Sequence, residues 1–479
     1  MNGIVNPGGG VELEASGATT QSAPIVAGSL ELNGSSDYTL TNASNAFSVL
    51  TANLGGAAQL QVSTSGTLTI GANGVVTGGN VTLSSLGGSL LGDAGGGYDL
   101  RPGASGLVVL SANGGIGAVG NALSVQANSL VGLQATTAGA GSAGDIHLVV
   151  DGPLNLNGIQ SNAGSAQTVS VVQTGNGGWS FQAPLATNDN LSFTSSGAMQ
   201  TLLSGADSIA SNAITLVVSG TLSSTGGAAV DFDTSAGTGQ ISIQAAAIGA
   251  ANAPVILNPN TSATPSVSAN ATSGGIYIEQ ASGDLSLSGY QIAAGGTGQN
   301  ISLSTTSGQV LIDSTANLDA NTADDHFSFK SAGASKDVAF SAGVTFNAAS
   351  LGITGSGNLV FANGGSVTLN APLNVTAMTT VLDGSEVLTL SAASNAIDGL
   401  SMSSGTVQGA GNLVVNGNAN TSAGSLAGTG SFVTAGTTAV TGTVGVDRSW
   451  TNTGNLTLSG GQISLVSGGV TYTNTRRRR

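Results

Sequence analysis

The chain has 479 residues, among them 76 glycines and no cysteine, and its 23 acids outnumber its 8 bases to give a net charge of −15. Four of the bases are Arg476 to Arg479, leaving only Arg101, Lys330, Lys336 and Arg448 along the body of the chain. This excludes a basic surface for nucleic acid or anionic lipid, and it rules out disulfides and cysteine-based metal sites.

The segments read as follows in chain order. The opening, MNGIVNPGGGVELEASG, has neither the basic nor the apolar region of a signal peptide. The expectation is therefore a cytoplasmic chain or an excised piece of a longer exported protein. No apolar run reaches the ~18 residues that would span a bilayer. Low charge with 40% hydrophobic residues argues against disorder. No stretch has helical spacing with helix-forming residues. Period-two alternation recurs instead. In GTLTIG, Leu68 and Ile70 fall on one face and Thr67 and Thr69 on the other. Near the end, GNLTLSGGQISLVSGG sets Leu456 with Leu458, and Ile463 with Leu465, across a Ser-Gly-Gly turn. Each burst suits one short strand, and the bursts run the length of the chain.

One phrase occurs twice, as IGAVGNALSV from Ile116 and as IGAANAPVIL from Ile248. Each leads through a spacer to a similar segment, AGDIHLVVDGPLNL at 143–156 and SGGIYIEQASGDLSL at 273–287. The apolar positions match. The polar ones do not: His147 aligns with Tyr277, and Asp151 has no charged counterpart. Shared packing with unshared chemistry predicts a scaffold repeat rather than a site used twice. The fold class expected is all-β, a parallel β-helix (β-solenoid) with rungs of roughly 20 residues. That length implies about 22–24 rungs stacked ~4.8 Å apart, a rod on the order of 110 Å long. The expected divisions are N-terminal repeats over 1–312, a charged loop or junction over 313–345, C-terminal repeats over 346–475, and the Arg tail 476–479.

Chemistry-bearing residues are few. Gly139, Gly141 and Gly144 spell Gly-x-Gly-x-x-Gly, but a strand follows where a dinucleotide site needs a helix. GDAGGGYDL (92–100) is one imperfect copy of a calcium-type repeat that works only in tandem. VDFD places Asp231 and Asp233 on one expected strand face, a spacing open to glycan hydrolysis. NTADDHFSFK adds Asp324, Asp325 and His326, with Lys330 close by; the favoured reading there is a polar loop or binding protrusion. His147 has no second ligand nearby in sequence. Trp179 and Trp450 are read as packing residues, with glycan-stacking platforms or interface anchors as the alternative. No catalytic, cofactor-binding or metal residues are assigned.

The repeated segments also carry a resemblance. NGGIGAVGNALSV followed by GDIHLVVDGPLNL resembles the repeats of bacterial filamentous-haemagglutinin-like exoproteins, including two-partner secretion adhesins. Towards the C-terminus, GSGNLVFANGGSVTL, GAGNLVVNGNANTSAGSLAGTGSF and DRSWTNTGNLTLSGGQISL are similar to the β-strand repeats of autotransporter-like surface proteins. The resemblance covers 112–160, 240–310 and 350–472. It implies a right-handed parallel β-helix, export across the outer membrane through a translocator, and a role in adhesion or biofilm-type contacts with host or bacterial surface glycans or proteins. The amino-terminal secretion domain of such exoproteins is not visible, and Asn258 to Asn260 (NPN) lies outside its usual context. Two other readings stand beside it, a β-helical glycan-degrading enzyme and a phage or filament fibre. Exposed end rungs invite pairing, so end-to-end self-association is expected.

Overall fold

The computed structural model describes residues 4–104, 106–127, 131–138, 144–161, 166–225, 227–313, 317–318 and 324–475. It is all-β with about 1% helix, and its parallel sheets stack as a β-solenoid of about 19 turns at roughly 23 residues per turn. The chain divides into two compact units, Met1–Ala246 with Asn258–Ser266, and Ala247–Leu257 with Val267–Arg479. Gly139, Gly141 and the Arg476–Arg479 tail lie outside the described residues.

In the first unit, alternation becomes interior ladders. The strands Ile146–Asp151, Thr168–Thr174, Asn190–Ser195, Ala213–Val218 and Ile241–Ala245 pair in parallel, each with the next. Register stacks Leu148, Val171, Phe193, Leu216 and Ile243 in one column, all buried. Each such side chain contributes roughly 1.5–3 kcal/mol by leaving water. Phe193 also meets Trp179 and Phe181 at centroid distances of 5.2 and 5.3 Å, in an aromatic cluster that extends to Phe232.

In the C-terminal part of the second unit each turn gives one strand to each of three sheets. Ser394–Ile397, Gly399–Met402 and Thr406–Gln408 form one turn. Asn412–Val415, Ala419–Thr421 and Ser425–Leu426 repeat it and pair strand for strand with the first three. The step there is short, with Leu400 facing Ala419. Elsewhere it is longer: Leu83 faces Leu110, and Leu303 faces Phe329. There are therefore fewer turns than the expected rung length implies. The surplus residues sit at corners, where alternation carries no signal.

The repeated phrase is one of these corners. Ile116 and Ile248 are both fully buried, and Gly117 and Gly249 both adopt φ +66°. Ala118 and Asn121 exchange two backbone hydrogen bonds, 2.9 and 3.0 Å, and Ala250 and Ala253 do the same at 3.0 Å. The glycine is obligatory in each copy. A Cβ on Gly117 would stand 2.1 Å from the His147 carbonyl oxygen, and one on Gly249 would stand 2.5 Å from that of Tyr277. The aligned pair His147 and Tyr277 thus shares a backbone role while its side chains differ.

Many of the scarce acids and amides staple turn to turn. The first N–H beside a strand needs an acceptor, and a side chain from the preceding turn supplies it. Asp37 accepts from the Gln59 N–H, Asn80 from Leu107 and Asp145 from Thr168, each at 2.8 Å. In the second unit Asp337 accepts from the Asn358 N–H at 2.7 Å and Asn412 from Ser431 at 2.8 Å. Arg448 staples from the other sign. It is 2% exposed; its Nε donates to the Gly430 carbonyl at 2.7 Å, and its Nη2 donates to that of Gly411. Its Nη1 has no partner among the described residues, and burial lowers its pKa.

Tyr290 is buried, and its hydroxyl donates to Gln280 Oε1 at 3.0 Å. Burial raises its pKa well above 10.0. The unfolded chain ionises this tyrosine near pH 10 while the native state holds it neutral. Its contribution is complete below pH ~10 and is lost as pH climbs towards the raised native value. Urea melts from pH 8 to 11 should show stability falling above pH 10, with a shallower fall in Tyr290→Phe. Equal slopes for the two proteins would remove Tyr290 as the cause.

Candidate functional site

The structure distributes the sequence candidates among different environments. Asp231 and Asp233 do not share a face. Asp231 is fully buried beside Phe232, and its carboxylate accepts from the Thr201 and Ser224 hydroxyls. Asp233 looks outward and takes hydrogen bonds from Ser235 and from Asn258 Nδ2 at 3.1 Å. A corner between them breaks the period-two rule, because Asp231 and Phe232 are both interior. Asn260, at the other end of the NPN triplet, donates to the Gly237 carbonyl at 3.1 Å.

Of the charged stretch, Asp324 is exposed and Asp325 is buried, accepting from the Gln299 N–H at 2.8 Å. His326–Lys330 is a strand, paired in parallel with Asn300–Thr305 on one side and Ser350–Thr354 on the other. His326, Ser328 and Lys330 point outward while Phe327 and Phe329 fill the interior. Asp99 is buried and accepts from the Asp93 N–H and from both the N–H and hydroxyl of Ser124. It locks its own loop. His147 is half-buried, with Nε2 closed off from solvent. Both tryptophans are core residues: Trp179 is 2% exposed and Trp450 fully buried, its Nε1 donating to Thr434 Oγ1 at 3.1 Å. Neither is an exposed platform. Among the described residues, no group of three or more His, Asp or Glu side chains is arranged to hold a metal ion.

Three outward depressions stand out. In the first unit, a groove of about 670 Å³ runs past Ser161, Thr187, Asn188, Ser211, Asn212 and Asp233. A second, of about 320 Å³, has Arg101 and Glu31 among its walls with Asn33, Asn53 and Asn73. Arg101 lies over the Tyr98 ring, 5.9 Å from its centroid, and the Tyr98 hydroxyl donates to Asp151. The Asp151 hydrogen bond is the main cause of the raised Tyr98 pKa.

The third depression, of about 470 Å³, belongs to the second unit. Its floor is a column of outward residues in register: Tyr277, Ser302, Ser328, Gly352 and Asn374. Beside it runs a second column, Asn300, His326 and Ser350. His326 Nδ1 and Ser350 Oγ are 2.8 Å apart, which holds the imidazole in place. Sequence reasoning singled out His326 here and missed the rest. Their only signal was outward position in strands a full turn apart, and this is invisible until register is known.

No protein-family model, no curated protein and no solved structure gives a significant match to the chain.

Proposed function

We propose that the chain is a structural and adhesive segment, a passenger or stalk, of a large secreted or surface-anchored bacterial protein. It makes adhesion or biofilm-type contacts with host or bacterial surface glycans or proteins. In the full-length protein an outer-membrane translocator delivers it to the cell surface. The carrying observation is that its acids and amides serve as staples between turns, while Ser, Thr and Asn repeat on the outer faces. A β-solenoid built this way suits many weak, similar contacts that add by avidity. The segment resemblance to haemagglutinin-like and autotransporter-passenger repeats supports the same reading, as does the burial of Asp231 away from Asp233. Catalysis is not part of the proposal.

The chain also associates end to end on this reading. Leu458, Leu465 and Val466 are 52, 48 and 65% exposed on one turn, a surface on which another turn can stack.

The test is attachment without turnover. Beads coated with the protein should retain epithelial cells or bacteria several-fold better than albumin-coated beads. Incubation with cell-surface polysaccharide should release no reducing ends. Equal retention on the two bead types, or steady release of reducing sugar, would overturn the proposal.

A further inference from the structure

The groove over Tyr277, Ser302, Ser328, Gly352 and Asn374 contains a glycine that packing does not explain. Gly352 sits inside the strand Ser350–Thr354. A strand-interior glycine costs stability and marks a bulge, a close backbone approach or a ligand. No bulge is present, since pairing runs unbroken from Ser328 through Gly352 to Asn374. No backbone crowds it: a Cβ would meet only the Phe327 carbonyl at 3.7 Å and Ser328 Oγ at 4.0 Å, both ordinary contacts. Its φ lies outside the left-handed region. A Cβ would fit, and its omission leaves a notch in the column.

A second glycine shapes the same groove. Close backbone approach demands glycine at 275, where a Cβ would stand 2.7 Å from the Asn300 carbonyl oxygen, and the Tyr277 ring uses the same space, with Cε2 3.0 Å from that position. Without that side chain the ring lies down along the strand, half-buried, at the end of the column. Amide and hydroxyl groups follow along the floor and the side column, with His326 braced between them by Ser350. Among the described residues, no Asp, Glu, Lys or Arg lines the groove.

From this geometry we infer that the Tyr277–Asn374 groove binds a neutral oligosaccharide, laid along the column with one sugar against Tyr277 and another seated in the Gly352 notch. An aromatic ring with a polar rim suits a pyranose, apolar on its faces and hydroxylated at its edge. Register offers the ligand a new polar group about every 4.8 Å, close to the repeat of a linear hexopyranose chain. Anionic sugars are disfavoured because no described Lys or Arg lines the groove and the chain carries −15. The inference rests on the adhesive reading above for its biological setting, but its test is separate from cell attachment.

The test is calorimetric titration of the full chain with linear neutral hexasaccharides (β-1,4-glucan, β-1,3-glucan and α-mannan), with oligogalacturonate as the anionic control. At least one neutral chain should bind, and oligogalacturonate should not. Gly352→Val should weaken binding tenfold or more while leaving the thermal midpoint unchanged or higher, because valine favours strands. Tyr277→Ala should weaken it similarly, and it decides the matter if the valine variant fails to fold. Overturning results are no binding to any neutral chain, preference for oligogalacturonate, or full affinity in both variants. Sugar binding by protein that fails to hold cells would sink the adhesive reading and leave this site standing.

Discussion

Arg448→Ala is expected to destabilise the C-terminal turns by about 3 kcal/mol, as lost packing plus unpaired buried carbonyls. The guanidinium reaches back over two turns, to Gly430 and to Gly411. Gly430 leaves room for both partners, since a Cβ there would stand 2.1 Å from the Gly411 carbonyl oxygen and 2.4 Å from Nη2. Removing the side chain leaves both carbonyls without this donor and empties a buried volume. Arg448→Met separates the two contributions. It restores volume and abolishes a buried charge that has no acid partner among the described residues, so its loss should be the smaller. Because contacts in a solenoid stay within a turn or two, hydrogen exchange should accelerate between 411 and 475 and stay unchanged near the N-terminus. Uniform acceleration, or Met as damaging as Ala, would refute the staple.

Gly117→Val should cost at least about 3 kcal/mol, the combined effect of a left-handed residue with a β-branched side chain and a backbone clash. The clash is with the His147 carbonyl at 2.1 Å, an atom fixed in a parallel ladder. Gly249→Val, against the Tyr277 carbonyl, should behave alike in the second unit. Gly158→Ala is the control: nothing lies within 4 Å of its Cβ position and its φ lies outside the left-handed region. That change should be neutral or slightly stabilising by restricting the unfolded chain. Denaturant midpoints of the three variants provide the comparison. Gly117→Val no less stable than the control would mean that the repeated phrase is not held by its glycine.

The sequence carries the fold well because burial in a solenoid follows strand alternation. Leu68 with Ile70, and the paired phrases at Ile116 and Ile248, lie where their pattern puts them, in the interior and at matching corners. What alternation does not carry is register. Tyr277, Ser302, Ser328 and Gly352 become neighbours only when each step from turn to turn is known, and no two of the three steps are equal. Corners defeat it too. Asp231 reads as a partner of Asp233 because period two is assumed through a bend, where the chain turns it inward to Thr201 and Ser224. The tryptophans follow the packing reading: Phe181 and Phe193 enclose Trp179, and Phe432, one turn back, packs on Trp450.

The uneven step has a consequence for how such a chain tolerates change. More chain separates Leu83 from its facing residue Leu110 than separates Phe432 from Trp450, yet both pairs stay parallel and buried. Additions are absorbed where the backbone bends, and the next strand resumes its place. The tip at Val119, 84% exposed between the mutually bonded Ala118 and Asn121, is such a bend. Foreign peptide spliced there would leave the ladder below it in phase, so the molecule is suited to carrying grafted epitopes at chosen turns of the solenoid.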